Sequence, residues 1–207
     1  MMLDAGLSEL PLVAILRGVT PARIPSVAEA LVSAGICAIE VPLNSPQAFE
    51  SIEFLAKNYG KDCLTGAGTV LDCADVDRVA EAGARLLVTP NTNAEVIARA
   101  VEKKLTVMPG FFTPSEAFAA IDAGARFLKL FPASTAGSGH LKALLAVLPK
   151  DVPVFAVGGV GAGNMKEWRR AGAAGFGLGS DLFKPEFSDE EVAARARQCV
   201  RAFKDAG

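Results

Sequence analysis

Short apolar runs alternate with amphipathic helical stretches along this whole chain, and that alternation narrows the fold more than any single residue does. The runs are LVAILRG (12–18), AIEVPL (38–43), LTGAGTV (64–70), RLLVTPN (85–91), TVMPGFF (106–112), RFLKLFP (126–132), VPVFAVGGV (152–160) and GFGLGSDLF (175–183), eight in all. They are continuously apolar, the pattern of parallel strands covered by helices on both faces. Ser or Thr followed by Pro opens three of the intervening helices, in TPAR (20–23), SPQA (45–48) and TPSE (113–116), which predicts a hydroxyl N-cap with Pro in the first turn. Glu116 adds a capping box to the third, and SDEE (188–191) reads as another. Ala-Gly closes every second helix, at 34–35, 82–83, 123–124 and 171–172, with separations of 48, 41 and 48. The chain is therefore built from similar βαβα units.

Eight strands alternating with helices in 207 residues predict a single-domain α/β fold over residues 1–207, a compact (β/α)8 TIM barrel. A doubly wound open sheet fits the same alternation, because pattern alone does not prove closure. Leu3, Leu7 and Leu10 lie at helical spacing and predict a short N-terminal helix that caps the barrel's bottom.

Composition excludes several function classes. Hydrophobic residues make up 51% of the chain, yet no uninterrupted apolar run approaches the ~20 residues of a membrane span. The first residues lack the basic-then-apolar order of a secretory signal. A net charge of −2 without a basic block argues against nucleic-acid binding. The four cysteines (37, 63, 73 and 199) form no CxxC pair, which suggests reduced thiols in a cytoplasmic protein rather than disulfides or a zinc site. The single histidine, His140, follows AGSG at a helix start and reads as exposed. No metal centre or histidine relay can be assembled around it alone.

In a barrel of this kind, chemistry sits at the C-terminal ends of the strands, and inward-facing residues alternate with residues packed on helices. Arg85 and Arg126 lie at the opposite ends of their strands and read as solvated. Asp181, next to the last loop, suits a structural or capping role as well as a chemical one. Arg17, Glu40 and Lys129 remain. If Leu128 and Leu130 pack on helices, Phe127, Lys129 and Phe131 face inward; if Ile39 and Val41 pack outward, Glu40 faces inward too. A Lys and a Glu then share one apolar chamber with an Arg at its mouth. A buried ion pair with no other purpose seldom recovers its desolvation cost. A buried lysine, by contrast, titrates well below ~10.4 and becomes an amine able to attack a carbonyl, with a carboxylate to shuttle protons. Lysine and carboxylate without metal ligands point to Schiff-base chemistry that needs no cofactor.

Glycines form a second constellation. VGGV (157–160) and GLGSD (177–181) end the last two strands, where barrels of this type cradle phosphate with backbone N–H groups, and Ser180 can add a hydroxyl. Glycines also serve tight turns, so they are weaker pointers than the lysine. GAGT (66–69) lacks the GxGxxG spacing of a dinucleotide site; its small residues read as room for substrate, with Thr69 offering a hydroxyl. Trp168 reads as core or subunit interface.

In this order, AILRG, IEVPLNSP, GAGTVL, VTPN, LKLFPAS and FAVGGV closely resemble the 2-dehydro-3-deoxy-6-phosphogluconate and phosphogalactonate aldolases, from about residue 10 to residue 184. The resemblance implies a homotrimeric barrel and a metal-independent class I aldolase that yields pyruvate and glyceraldehyde 3-phosphate. It implies Lys129 as the Schiff-base lysine and Glu40 as the acid/base carboxylate. Arg17 and Thr69 would contact the pyruvate-derived end, and Gly158, Gly159, Gly179 and Ser180 the phosphate. A phosphate-binding isomerase, or a barrel that binds a sugar phosphate without cleaving it, is the reading from another class.

Members that prefer the gluconate epimer typically read Glu-Val-Thr-Leu-Arg on strand two and Pro-Thr-Gly-Gly on strand seven. Here Asn44 replaces the arginine and Val157 the threonine. Valine has nearly the shape of threonine but cannot hydrogen-bond the C4 hydroxyl. The expected substrate is accordingly the galactonate epimer, with Val157 the stereoselective residue and with residual activity on the gluconate; a 2-dehydro-3-deoxy-6-phosphogluconate or 4-hydroxy-2-oxoglutarate aldolase is the alternative.

Overall fold

The computed structural model describes Leu7 and residues 10–207. Its strands are β1 (Leu12–Ile15), β2 (Ala38–Pro42), β3 (Leu64–Gly68), β4 (Leu86–Val88), β5 (Thr106–Met108), β6 (Gly110–Phe111), β7 (Leu128–Leu130), β8 (Val154–Val157) and β9 (Gly175–Leu178). Its helices are α1 (Ile24–Ser33), α2 (Ala48–Tyr59), α3 (Cys73–Glu81), α4 (Ala94–Glu102), α5 (Pro114–Asp122), α6 (Ala133–Ala136), α7 (Ser138–Leu145), α8 (Met165–Ala171) and α9 (Asp189–Lys204).

All strand pairs are parallel, in the order β5-β4-β3-β2-β1-β9-β8-β7-β6. The two ends of that order, β5 and β6, are halves of one sequence run parted at Pro109. Proline has no N–H for a ladder. Its carbonyl still accepts from the Lys129 N–H at 2.9 Å, while the Met108 carbonyl accepts from the Thr89 N–H at 3.3 Å. The interrupted strand thus bonds to β4 on one side and β7 on the other. That joins the sheet into a (β/α)8 barrel rather than an open sheet.

Side-chain parity divides the apolar residues into two cores. Leu128, Leu130, Ile39 and Val41 belong to the outer layer between sheet and helices. Val13, Ala38, Leu64, Phe127, Phe155 and Val157 fill the barrel itself, and Leu7 packs among them, fully buried. Leu7 therefore plugs the interior; Leu3 lies outside the described residues. Trp168 is core. Arg85 and Arg126 are exposed.

The Ala-Gly exits have a local cause. At Gly35, Gly83, Gly124 and Gly172 the backbone turns left-handed, with φ between 79 and 103°. The next N–H then bonds back across the last turn, as in Ile36 N–H to Leu31 O at 3.0 Å, the signature of a Schellman closure. Lys104 takes the same conformation at the end of α4 without being glycine, at φ 60°.

The helix starts follow expectation less closely. Thr113 and Glu116 form the capping box. Ser188 caps the Glu191 N–H, but the Glu191 carboxylate turns to Arg195, so the second box is only half made. Thr20 opens a turn through its carbonyl, and α1 starts later, after Arg23. Ser45 caps no helix; its hydroxyl accepts from the Gly18 N–H on the neighbouring loop.

Two cysteines distant in sequence also meet. Cys37 and Cys63 immediately precede the paired Ala38 and Leu64. Burial first, and then the Cys37 thiol, push Cys63 up to about 12, so it stays a protonated thiol.

Candidate active site

Lys129 is the middle residue of β7, and its neighbours Leu128 and Leu130 are held by the helices. The lysine therefore points into the barrel, where it is 6% exposed. Its ammonium nitrogen lies 4.8 Å from the centre of the Phe131 ring. Glu40, in the middle of β2, points into the same interior and is 2% exposed. Space for its carboxylate comes from β3, because a Cβ on Gly68 would collide with both carboxylate oxygens. The small residues of GAGT thus make room for Glu40 first; Gly66, for its part, is pressed against the Leu86 carbonyl.

Neither group is fully satisfied. Among the described residues, Glu40 Oε2 has no hydrogen-bond partner, and none of Arg17, Glu40 and Lys129 belongs to an ion pair within 4.0 Å. Burial raises Glu40 from 4.5 to about 7, against the opposing pull of Lys129 and Arg17. Burial lowers Lys129 from 10.5 to about 8; Glu40 opposes that shift and Arg17 reinforces it. Desolvation disfavours both charges more strongly than their mutual attraction restores them. The result is an amine and a carboxyl that can each exist in either protonation state near neutral pH. Such a pair can attack a carbonyl and move a proton.

Above this chamber opens a cavity of about 910 Å³, lined among others by Ile15, Arg17, Phe131, Val157 and Ser180. Lys129 and Glu40 lie one layer deeper, since Phe131 and Val157 are the inward-facing residues at the strand ends. Arg17, just past β1, is exposed; its Nη1 donates to Asn44 Oδ1 at 2.5 Å and its Nη2 to Thr69 Oγ1 at 3.3 Å. Thr69 holds φ 57°, unusual for a β-branched residue.

The glycine cluster forms the far wall. The N–H groups of Gly159, Gly179 and Ser180 donate to no acceptor among the described residues. Gly159, at φ 73°, has no room for a Cβ because Ser134 lies against it; Gly158 touches the Phe131 ring, and Gly179 faces open space. Asn164 braces this loop from both sides, accepting from the Gly161 N–H at 3.0 Å and donating to the Gly159 carbonyl at 2.9 Å. The Asp181 carboxylate accepts from the Ala162 N–H at 3.2 Å, which gives Asp181 a structural role. The arrangement offers free backbone donors to an anion.

Val157 faces inward as expected and fills the space left by Gly177. His140 departs from expectation: it is half-buried, donates from Nε2 to the Phe112 carbonyl at 2.8 Å and stacks on the Phe112 ring. It ties α7 to the end of β6. Sequence reasoning missed the bracing role of Asn164 and noticed Asn44 only as a departure from a motif. Asn44 lies two residues past the end of β2, and Asn164 immediately precedes α8 in the loop after β8, so both sit on loops at the C-terminal end of the barrel.

Among the described residues no cluster of His, Cys, Asp or Glu is arranged to hold a metal ion, and no helix is long and apolar enough to cross a membrane.

Residues 3–199 match the KDPG and KHG aldolase family. The 2-dehydro-3-deoxy-6-phosphogalactonate aldolase of Escherichia coli (strain K12) is 50% identical over 199 residues, covering 96% of this chain and 97% of that protein. A probable 2-dehydro-3-deoxy-6-phosphogalactonate aldolase of Rhizobium meliloti (strain 1021) is 48% identical, covering 94% and 92%. A solved structure described as native KDPGal superimposes with a TM-score of 0.96 at 48% identity, over 100% of this chain and 98% of that one.

Proposed function

Because the chain belongs to the KDPG and KHG aldolase family, we propose that it is a class I aldolase cleaving 2-dehydro-3-deoxy-6-phosphogalactonate to pyruvate and glyceraldehyde 3-phosphate. On this reading Lys129 Nζ, as the free amine, adds to the C2 ketone, and loss of water gives an iminium. The Glu40 carboxylate, directly or through a water, takes the C4 hydroxyl proton. The C3–C4 bond then breaks, its electron pair flows into the C2 iminium to give an enamine, and glyceraldehyde 3-phosphate departs. C3 takes up a proton, water hydrolyses the regenerated iminium, and pyruvate leaves with Lys129 restored.

Arg17 and Thr69 contact the carboxylate of the pyruvate-derived end. Gly158, Gly159, Gly179 and Ser180 hold the phosphate, whose remote binding energy positions the reacting carbons. Lys129 and Glu40 supply the chemistry without a cofactor, and the working form is a cytoplasmic homotrimer.

The observation that carries this reading is Lys129 itself, a lysine 6% exposed, in no ion pair among the described residues, and lowered to about 8 beside a desolvated carboxyl. Borohydride reduction in the presence of pyruvate tests it. The expected product is inactive enzyme with a pyruvate-derived adduct on Lys129. An undiminished label in Lys129→Ala would sink the assignment and leave a non-covalent sugar-phosphate binder or an isomerase.

Between the two C4 epimers, the inward-facing Val157 favours the galactonate. It offers no hydroxyl to the C4 position, and parallel measurement of kcat/KM on both epimers decides the preference.

A further inference from the structure

Among the described residues, Arg17 is the only arginine lining the substrate cavity, and no carboxylate neutralises it. It is held instead by two neutral acceptors, Asn44 Oδ1 at 2.5 Å and Thr69 Oγ1 at 3.3 Å. The segment that carries Asn44 grips the segment that carries Arg17 a second time, because the Ser45 hydroxyl, buried, accepts from the Gly18 N–H at 2.9 Å. Two contacts side by side keep the loop after β1 in register with the loop after β2. The acceptor just after β3 is rigid as well, since Thr69 sits at φ 57°, a conformation that persists in a β-branched residue only when its surroundings enforce it.

An exposed arginine normally loses rotamer freedom when it captures an anion. Here that freedom is already gone. The full positive charge and the remaining N–H groups of the planar guanidinium stay available for a bidentate contact. Charge on Arg17 also reaches the chamber, where it disfavours protonated Lys129 and favours ionised Glu40.

We propose that Asn44 is a positioning residue: its side-chain carbonyl presets the un-neutralised Arg17 guanidinium to receive the carboxylate of the 2-oxo acid joined to Lys129. This rests on the reading of Arg17 as the contact for the pyruvate-derived end. A neutral amide suits the task for a definite reason. An aspartate of the same shape would orient Arg17 equally well but would pair with it and compete with the substrate, whereas an alanine would leave it held by Thr69 alone.

The test is the pyruvate dependence of borohydride trapping at Lys129, measured for wild type, Asn44→Ala, Asn44→Asp, Arg17→Ala and the double variant Arg17→Ala/Asn44→Ala. Having to order Arg17 anew on binding should raise the half-saturating pyruvate concentration of Asn44→Ala about three- to tenfold, with the maximal trapping rate changed by less than about twofold. Asn44→Asp should be raised further, and the double variant should match Arg17→Ala, since Asn44 acts only through Arg17. Acetone, a ketone without a carboxylate, should be trapped by Asn44→Ala and wild type with the same concentration dependence.

An Asn44→Ala curve equal to wild type, or a double variant additively worse than Arg17→Ala, overturns the proposal while leaving Arg17 in place. An Arg17→Ala curve equal to wild type instead removes Arg17 from carboxylate binding, and the role of Asn44 falls with it. If Asn44→Ala fails to fold, Asn44→Asp keeps the question answerable, because a purely structural amide predicts no competition with pyruvate.

Discussion

The chamber around Lys129 and the glycine wall around Gly159 lie at the same end of one barrel but are built on opposite principles. In the chamber the functional atoms belong to side chains, they are almost wholly buried, and among the described residues they are left short of partners: Glu40 Oε2 accepts no hydrogen bond, and Lys129 has the Phe131 ring but no ion pair. At the wall the functional atoms belong to the backbone and are more exposed, and the loop that carries them is braced from both sides by Asn164 and again by Asp181. An under-satisfied group keeps its protonation state adjustable, which bond-breaking needs. A braced loop keeps its donors fixed, which binding needs. The stability cost of desolvating two ionisable groups is confined to one pair of residues set among an apolar cluster inside the barrel.

The contrast breaks most sharply at Glu40. Glu40→Gln keeps the shape and removes the proton acceptor, so kcat for cleavage should fall by about 10²–10⁴-fold. Trapping of pyruvate on Lys129 should survive. Steady-state cleavage measured beside borohydride trapping separates the two; equal loss of both would mean that Glu40 acts on imine formation instead.

A second check uses pH. Lys129, lowered to about 8, gains free amine as pH rises through that value, and Glu40, raised to about 7, gains carboxylate as pH rises through its own. Both active forms are therefore the deprotonated ones. kcat/KM for cleavage should rise between pH 6 and 8, by about tenfold per unit between 7 and 8 and by up to about a hundredfold per unit below 7. A profile still rising steeply above pH 9 would show that Lys129 is less desolvated than its burial indicates.

The wall should respond in binding rather than chemistry. Gly159→Ala forces a Cβ against Ser134 at a left-handed backbone position, a strain of about 1–3 kcal/mol that displaces the free N–H groups. KM for the phosphorylated substrate should rise by about five- to a hundredfold, while pyruvate trapping, which needs no phosphate, stays near wild type. A parallel loss of trapping would show that the two regions are not separable.

The smallest effect is expected where the two regions meet. Val157→Thr adds one hydroxyl at the chamber rim and should shift the ratio of kcat/KM toward the gluconate epimer by a few-fold to about tenfold. An unchanged ratio in an active, folded variant would exclude Val157 as the selector.

Legibility differed between these features for physical reasons. The inward set Phe127, Lys129 and Phe131 was readable because strand parity has a period of two, and a charge within an apolar run marks itself. The Thr113 capping box was readable because its partners lie three residues apart. Ser45 misled for the converse reason. Ser-Pro has the local form of a helix start, yet the hydroxyl is taken by the Gly18 N–H on another loop, 27 positions away.

What the sequence by itself determined is what depends on near neighbours: eight strand–helix units, four left-handed glycine exits, two inward-facing ionisable residues on β2 and β7. What only the tertiary structure decided is how those units meet. Closure through the two halves of the strand broken at Pro109, the space that Gly68 leaves for Glu40, and the hold of Asn44 and Thr69 on Arg17 all join separate strands or loops, the last across 27 and 52 positions. Hydrophobic periodicity reports which face a residue turns to the core. It carries no information on which loop lies opposite, because that is set by the stagger and tilt of the closed barrel, a property of all its strands together.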